Sequence, residues 1–273
     1  EEDMRMKGFP ACLEDLKAQG RTLVGCFPLY PPLELLHSFG LTPVVLWGMR
    51  EDITSLALSD RHLQPYACGV ARCLSELVIS RGHELLDALF MYNACDTLRN
   101  LPEILQAALI RDGRELPLFR MHIPAVPLER PYAASYLKDR IRLLVRELEA
   151  FTGRPFSQER FLKSVSLYSR RRRLCGELEK AAAEGRFSFA DCAGIILAGS
   201  RMPVEDHIPA LESSIQSAGG RDVGGERPGV MLSGILPPPM ILLETLEHSG
   251  LRVAANDIAA LKRSYAYQPA ETD

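Results

Sequence analysis

The sequence predicts an α/β protein with two related parallel-sheet domains around a helical insert, the second domain incomplete. Three observations carry this. Short apolar runs alternate with amphipathic helical segments over residues 1–130, where a first α/β domain is expected. Long stripes of apolar residues three and four apart then mark residues 131–225 as helical. Residues 226–273 return to run, helix and run, the order already met between residues 22 and 47, and so read as the start of a second α/β domain.

From Arg21, "RTLVGCF" is a strand, "PPLELLHSFG" a helix with proline in its first turn and glycine past its end, and "TPVVLWG" a second strand; together they form a βαβ unit. A second round follows: a helix from Gly69 to Ser80, the strand "LLDALFMYN", the helix "TLRNLPEILQAALI" and the strand "LPLFRMHIP". Such alternation is solved most simply by a parallel sheet covered on both faces. After Pro127, the residues Leu137, Ile141, Leu144, Leu148 and Phe151 form one amphipathic stripe, which "TGRP" closes. Ser157 reads as the N-cap of the next helix, with Phe161, Val165, Tyr168, Leu174 and Leu178 on its apolar side. The glycine-rich "SAGGRDVGGERPG" is expected to be a linker or loop. Beyond it, "GVMLSGI", "PPPMILLETLEHSG" and "LRVAANDI" give strand, proline-started helix and strand. One βαβ unit exposes both faces and both strand edges, so the pattern reads as a polypeptide incomplete at its C-terminus.

Composition narrows the function. The formal net charge of -3 gives no global attraction to nucleic acid or an anionic membrane, and 47% hydrophobic residues suffice for real cores. No apolar run reaches the roughly 18 residues of a membrane helix, and "EEDMRMKGFP" is too polar for a secretory signal; a cytoplasmic location is expected. The chain opens at Glu1 without methionine, so its start reads as processed or trimmed. The seven cysteines (Cys12, Cys26, Cys68, Cys73, Cys95, Cys175 and Cys192) lack the spacing of a disulfide framework, and reduced thiols are expected.

Cys68, in "QPYACGVARC", and Cys95, in "NACDTLRN", each fall where a loop enters a helix at the carboxyl side of the first sheet. Ligands of open α/β sheets bind at that edge, and a helix N-terminus favours thiolate. The residues alone leave two readings open, ligands of a shared iron–sulfur or metal site and inert packing. Cys12, Cys73, Cys175 and Cys192 read as structural. Cys26, at the end of the first strand, either lines the site or is buried in the sheet. Glu34 opens the first helix, where the helix dipole favours its charge with or without a ligand. Asp96 reads as a first-turn acid and Arg99 as an exposed first-turn base. The run Arg170–Arg173 fans around a helix and reads as a solvated face. The histidines, His37, His62 and His83 among them, show no metal-ligand spacing, and serine-hydrolase and P-loop signatures are absent.

With those residues placed, "VGCFPLYPPLELLHSFGLTPVVLWG", "YACGVAR" and "NACDTLRNL" resemble the 2-hydroxyacyl-CoA dehydratase and benzoyl-CoA reductase subunit family. "GRPFSQERFLKSVSLYSRRRRL", "AGSRMPVED" and "VMLSGILPPPMILLETLEHSGLRVAANDI" match later blocks in order. The resemblance implies Rossmann- or flavodoxin-like domains and a [4Fe-4S] cluster held by three cysteines. It also implies one-electron, ketyl radical chemistry on an acyl-CoA thioester, a homologous second subunit forming a heterodimer, and a separate ATP-dependent activator protein. By position it makes Cys68 and Cys95 cluster ligands and Glu34 the catalytic glutamate near the substrate; the third cysteine belongs to a region beyond this chain. Leu29 departs from the small polar residue common in the family. Two other roles fit the resemblance: a scaffold subunit pairing with an active paralogue, and a double-cluster reductase of small molecules.

Overall fold

The computed structural model describes residues 8–47, 53–127, 129–218 and 227–269. The chain divides into two compact units, Gly8–Phe161 and the stretch from Leu162 onward. The predicted linker falls largely on residues 219–226, outside the described residues.

In the first unit, α1 (Phe9–Ala18) precedes β1 (Leu23–Cys26), α2 (Leu33–Ser38) and β2 (Thr42–Val45). A one-turn 3-10 segment (Ser59–Arg61) leads to α3 (Gly69–Leu77), which passes through a wide turn at Val78–Gly82 into the short α4 (His83–Leu85). Then come β3 (Ala88–Tyr92), α5 (Asp96–Arg111), β4 (Leu118–Met121) and α6 (Pro131–Thr152). The four strands are all parallel, in the order β2-β1-β3-β4. The α/β expectation is met.

Side chains alternate across this sheet as a two-residue period requires. Leu23, Val44, Leu89 and Met91 join Leu74, Leu77, Leu101 and Leu105, from α3 and α5, on one face. Val24, Cys26, Val45 and Phe90 join Leu35 and Leu36 of α2 and Leu144 and Leu148 of α6 on the other. Gly25 makes the first face possible: a Cβ there would lie 2.6 Å from a methyl of Leu86. Both faces are covered, which is why the strands read as continuous apolar runs.

The apolar stripe of α6 is only half used. Leu144 and Leu148 are buried, whereas Ile141 is exposed and Leu137 half-buried. A 22-residue helix is about 33 Å long, while strands of four or five residues span about 13–17 Å, so one layer cannot bury the whole stripe. Gly153 then ends the helix with φ +65, in the left-handed region that glycine occupies without steric cost.

The second unit is helical first. α7 (Gln158–Ala183) starts within the first unit and continues into this one, followed by α8 (Phe189–Ala198) and α9 (Val204–Ala218). Ser157 Oγ accepts the Arg160 N–H at 3.3 Å, as expected of an N-cap. Next come β5 (Gly229–Gly234), α10 (Met240–His248), β6 (Arg252–Ile258) and the short α11 (Lys262–Tyr265). β5 and β6 pair in parallel with an irregularity at Val230/Met231, repeating the strand–helix–strand order of β1, α2 and β2.

Candidate functional site

The strand order locates a crevice. The chain runs outward from β1 to β2, then crosses back to place β3 on the other side of β1. Such a reversal opens a cleft outside the carboxyl ends of the two central strands, the place where open α/β sheets bind ligands.

Three strand exits line this edge. β1 leaves through Phe27, whose N–H donates to the Phe90 carbonyl at 3.1 Å, into the turn Leu29–Tyr30. Leu29 has φ +82, alone in that region among the described non-glycine residues; strain of this kind collects at functional sites. The Tyr30 N–H donates to the phenol oxygen of Tyr92, at the end of β3, at 3.4 Å. Burial raises the Tyr92 pKa and the nearby Cys95 sulfur adds to the effect, while the Tyr30 N–H opposes it. β3 leaves through Asn93, whose side chain donates to the Ile123 carbonyl at 3.0 Å and accepts the Ile123 N–H at 2.7 Å. The exits of β3 and β4 are thereby tied together, continuing the ladder that pairs Tyr92 with Met121. His122, at the exit of β4, lies 3.1 Å through Nδ1 from the Tyr136 hydroxyl, with the rings edge-on at 5.9 Å.

Cys68 and Cys95 are the N-cap residues of α3 and α5, both exposed. These helices pack on each other, and Ala67, just before Cys68, and Val70 and Leu98, in their first turns, sit against the same core cluster. The structure thus presents both thiols at the N-termini of neighbouring helices on one sheet edge. Upstream of Cys68, the loop is clamped to α3 at two points. The buried Glu76 carboxylate accepts the Leu58 and Ser59 N–H groups at 2.9 and 2.7 Å, and Arg72 pairs with Asp60 at 2.6 Å. Glu34 comes from the opposite layer, half-buried in the first turn of α2 directly after the β1 exit. Asp96 and Arg99 form an exposed ion pair at 2.9 Å.

The remaining cysteines form no disulfide, and most are buried. Cys26 is sealed within the sheet, its thiol donating to the Val24 carbonyl at 3.6 Å, and burial pushes its pKa up. It packs the sheet rather than lining the crevice. Burial likewise pushes Cys175 up to about 11 and raises Cys192. Of the arginine run, Arg170 pairs with Glu212 at 2.5 Å, and Arg171 donates to His207 Nδ1 at 3.0 Å, so these two bind α9 rather than an outside partner. Among the described residues, no group of three His, Cys, Asp or Glu side chains is gathered around a possible metal position. Among the described residues, no helix is long and apolar enough to cross a membrane.

Tyr92, Asn93, His122 and Tyr136 escaped the sequence reading. The signal available for His122 was its place near the carboxyl end of the predicted strand "LPLFRMHIP", toward the sheet edge that also drew attention to Cys95.

Residues 28–273 match the family model of the 2-hydroxyglutaryl-CoA dehydratase D-component. The chain belongs to this family. Among curated relatives, it is 22% identical over 264 residues to the (R)-phenyllactyl-CoA dehydratase beta subunit of Clostridium sporogenes, covering 93% of this chain and 66% of that protein. It is 24% identical to the (R)-2-hydroxyglutaryl-CoA dehydratase beta subunit of Acidaminococcus fermentans, covering 95% of this chain and 68% of that one. A benzoyl-CoA reductase subunit of Thauera aromatica is 23% identical, with 89% and 63% covered. The chain therefore spans about two thirds of the length of these relatives, each named as a subunit of an acyl-CoA enzyme.

Proposed function

We propose that the protein is a subunit of an acyl-CoA dehydratase, or of a reductase of the same family, with Cys68 and Cys95 supplying two thiolate ligands to a [4Fe-4S] cluster. One observation carries the reading: two exposed thiols stand at the N-cap positions of adjacent helices at the carboxyl edge of a doubly wound sheet. Helix N-termini favour the thiolate form that ligation requires, and exposure leaves both sulfurs open to a group completed by other ligands. Two thiols from this unit fit part of a cluster's ligand set. When bound, such a cluster supplies one-electron transfer to the thioester carbonyl, the route to ketyl radical chemistry.

The chain's own residues then do the following. The α3 clamp through Glu76 and Arg72 holds the loop that delivers Cys68. Asn93 fixes the turn that delivers Cys95. Glu34, as the catalytic carboxylate, accepts a hydrogen bond from the hydroxyl of a 2-hydroxyacyl group. A homologous second subunit and a separate ATP-driven activator complete the assembly in this reading.

The test is anaerobic iron and sulfide analysis of the assembled enzyme with the wild-type chain and with Cys68→Ala or Cys95→Ala. Loss of cluster iron in each variant, with subunit assembly intact, is expected. Unchanged iron in both variants would remove the ligand assignment, and assembly without any contribution to activity would favour a scaffold role.

A further inference from the structure

We infer that His122, held by Tyr136, is a proton-transfer residue of this site. The inference rests on the acyl-CoA dehydratase reading above and assigns a role which that reading leaves unfilled. Removing water from a 2-hydroxyacyl thioester breaks the C2–O bond and a C3–H bond; the C–H electron pair becomes the C2–C3 double bond. The proton and the departing hydroxide leave together as water, with no net oxidation. Some group must take the C3 proton and hand it on.

His122 has the position and the geometry for that task. It follows Met121, which pairs in register with Tyr92, so it continues the sheet edge at the level of Asn93. The two-ended Asn93–Ile123 link, at 3.0 and 2.7 Å, ties the turn that carries His122 to the one that carries Cys95. The imidazole is exposed, and its contact with Tyr136 Oη engages Nδ1 at 3.1 Å. In the tautomer that donates Nδ1–H to the phenol oxygen, Nε2 offers a lone pair to a ligand at the carboxyl edge. A base fixed through one ring nitrogen and open at the other is the recurring arrangement of histidine in proton transfer. The other groups on this edge serve less well, Glu34 because this reading already commits its carboxylate to the substrate hydroxyl. Cys68 and Cys95 are committed as ligands in this reading, and the Tyr92 phenol is held protonated by burial.

Tyr136 acts through His122 and is a positioning residue. It lies on α6, 40% exposed, between the buried Ala133 and Leu144, so core packing does not account for its aromatic ring.

The experiment uses the assembled enzyme, anaerobically, with (R)-2-hydroxyglutaryl-CoA and lactoyl-CoA as probes, and compares wild type with His122→Gln and Tyr136→Phe. Cluster iron, thioester binding by calorimetry and turnover are all measured. Expected for His122→Gln are unchanged iron, thioester affinity within a few-fold of wild type and kcat lower by about 100-fold or more. Tyr136→Phe is expected to show a smaller loss in kcat, again with iron and affinity retained. Wild-type turnover in His122→Gln overturns the inference and leaves the parent reading standing. Loss of iron in that variant also overturns it, because His122 would then be a ligand or a structural residue. A wild-type enzyme that holds no iron and binds neither thioester sinks the parent reading, and this inference with it.

Discussion

Arg171 and His207 lie 36 positions apart in the sequence, yet a hydrogen bond of 3.0 Å joins them at a buried ring. The His207 ring is fully buried; its Nδ1 accepts from Arg171, and its Nε2–H donates to the Ile195 carbonyl at 2.9 Å. Burial first, and the arginine charge second, lower its pKa to about 3, against the opposing pull of the Ile195 bond. Unfolded, the imidazole takes up a proton below about pH 6.5, which the folded ring refuses. Stability from this residue is therefore complete above about pH 6.5 and is lost as pH falls toward 3, at up to about 1.4 kcal/mol per pH unit. Urea unfolding of wild type and His207→Gln between pH 7 and 4 should show the steeper decline in wild type; equal slopes would contradict a neutral buried ring. Gly199 belongs to the same contact. A Cβ there would stand 2.2 Å from the His207 ring, which both its nitrogens hold in place. Gly199→Ala should cost about 1–3 kcal/mol in the same measurement.

At the scale of elements, helix ends are held by partners far away in sequence. The Glu247 carboxylate, on α10, accepts the Phe189 and Ala190 N–H groups at 2.7 and 3.1 Å, along with the Ser188 hydroxyl. It thus satisfies the opening donors of α8 and places negative charge at the positive end of the helix dipole. Glu247→Ala leaves those amides without their acceptor and should destabilise the second unit by about 1–3 kcal/mol, read as a lower urea midpoint with an unchanged slope. Nothing in "LLETLEHSG" marks this role, and the sequence shows only a helix with acids. The elements themselves were legible because each is local. Alternating apolar runs gave β1 to β4, the four-and-three spacing gave α6 and α7, and Ser157 announced its own helix. What stayed hidden depends on which elements become neighbours. Leucine gives no warning of the left-handed backbone at Leu29. His122 and Tyr136 meet only because α6 returns across β4. That Cys68 and Cys95 each open a helix was legible for a related reason: both precede predicted helices, and a parallel sheet sends its strand-to-helix loops to one edge.

At the scale of the whole molecule, the two units differ in how completely they cover themselves. In Gly8–Phe161, each face of the four-stranded sheet carries its own closed cluster of apolar side chains. Among its described residues, the unit from Leu162 onward has two strands, and β5 alternates exposed and half-buried residues along its length. Met231 is 66% exposed and Ile241 70%, with Ile235, Leu236 and Leu242 about half exposed around the β5 exit and the start of α10. Exposed apolar side chains gathered within so short a stretch of chain favour association in water. Expressed separately, residues 8–161 should unfold in one cooperative transition and stay monomeric. Residues 162–273 should self-associate and bind a hydrophobic dye. Light scattering coupled to size exclusion checks both, and Leu236→Lys with Ile241→Lys should shift the second fragment toward monomer, because two charges replace two of its exposed apolar side chains without touching the buried Leu243. A second fragment that is monomeric and dye-free without those changes would show that this surface does not behave as the exposed apolar patch described.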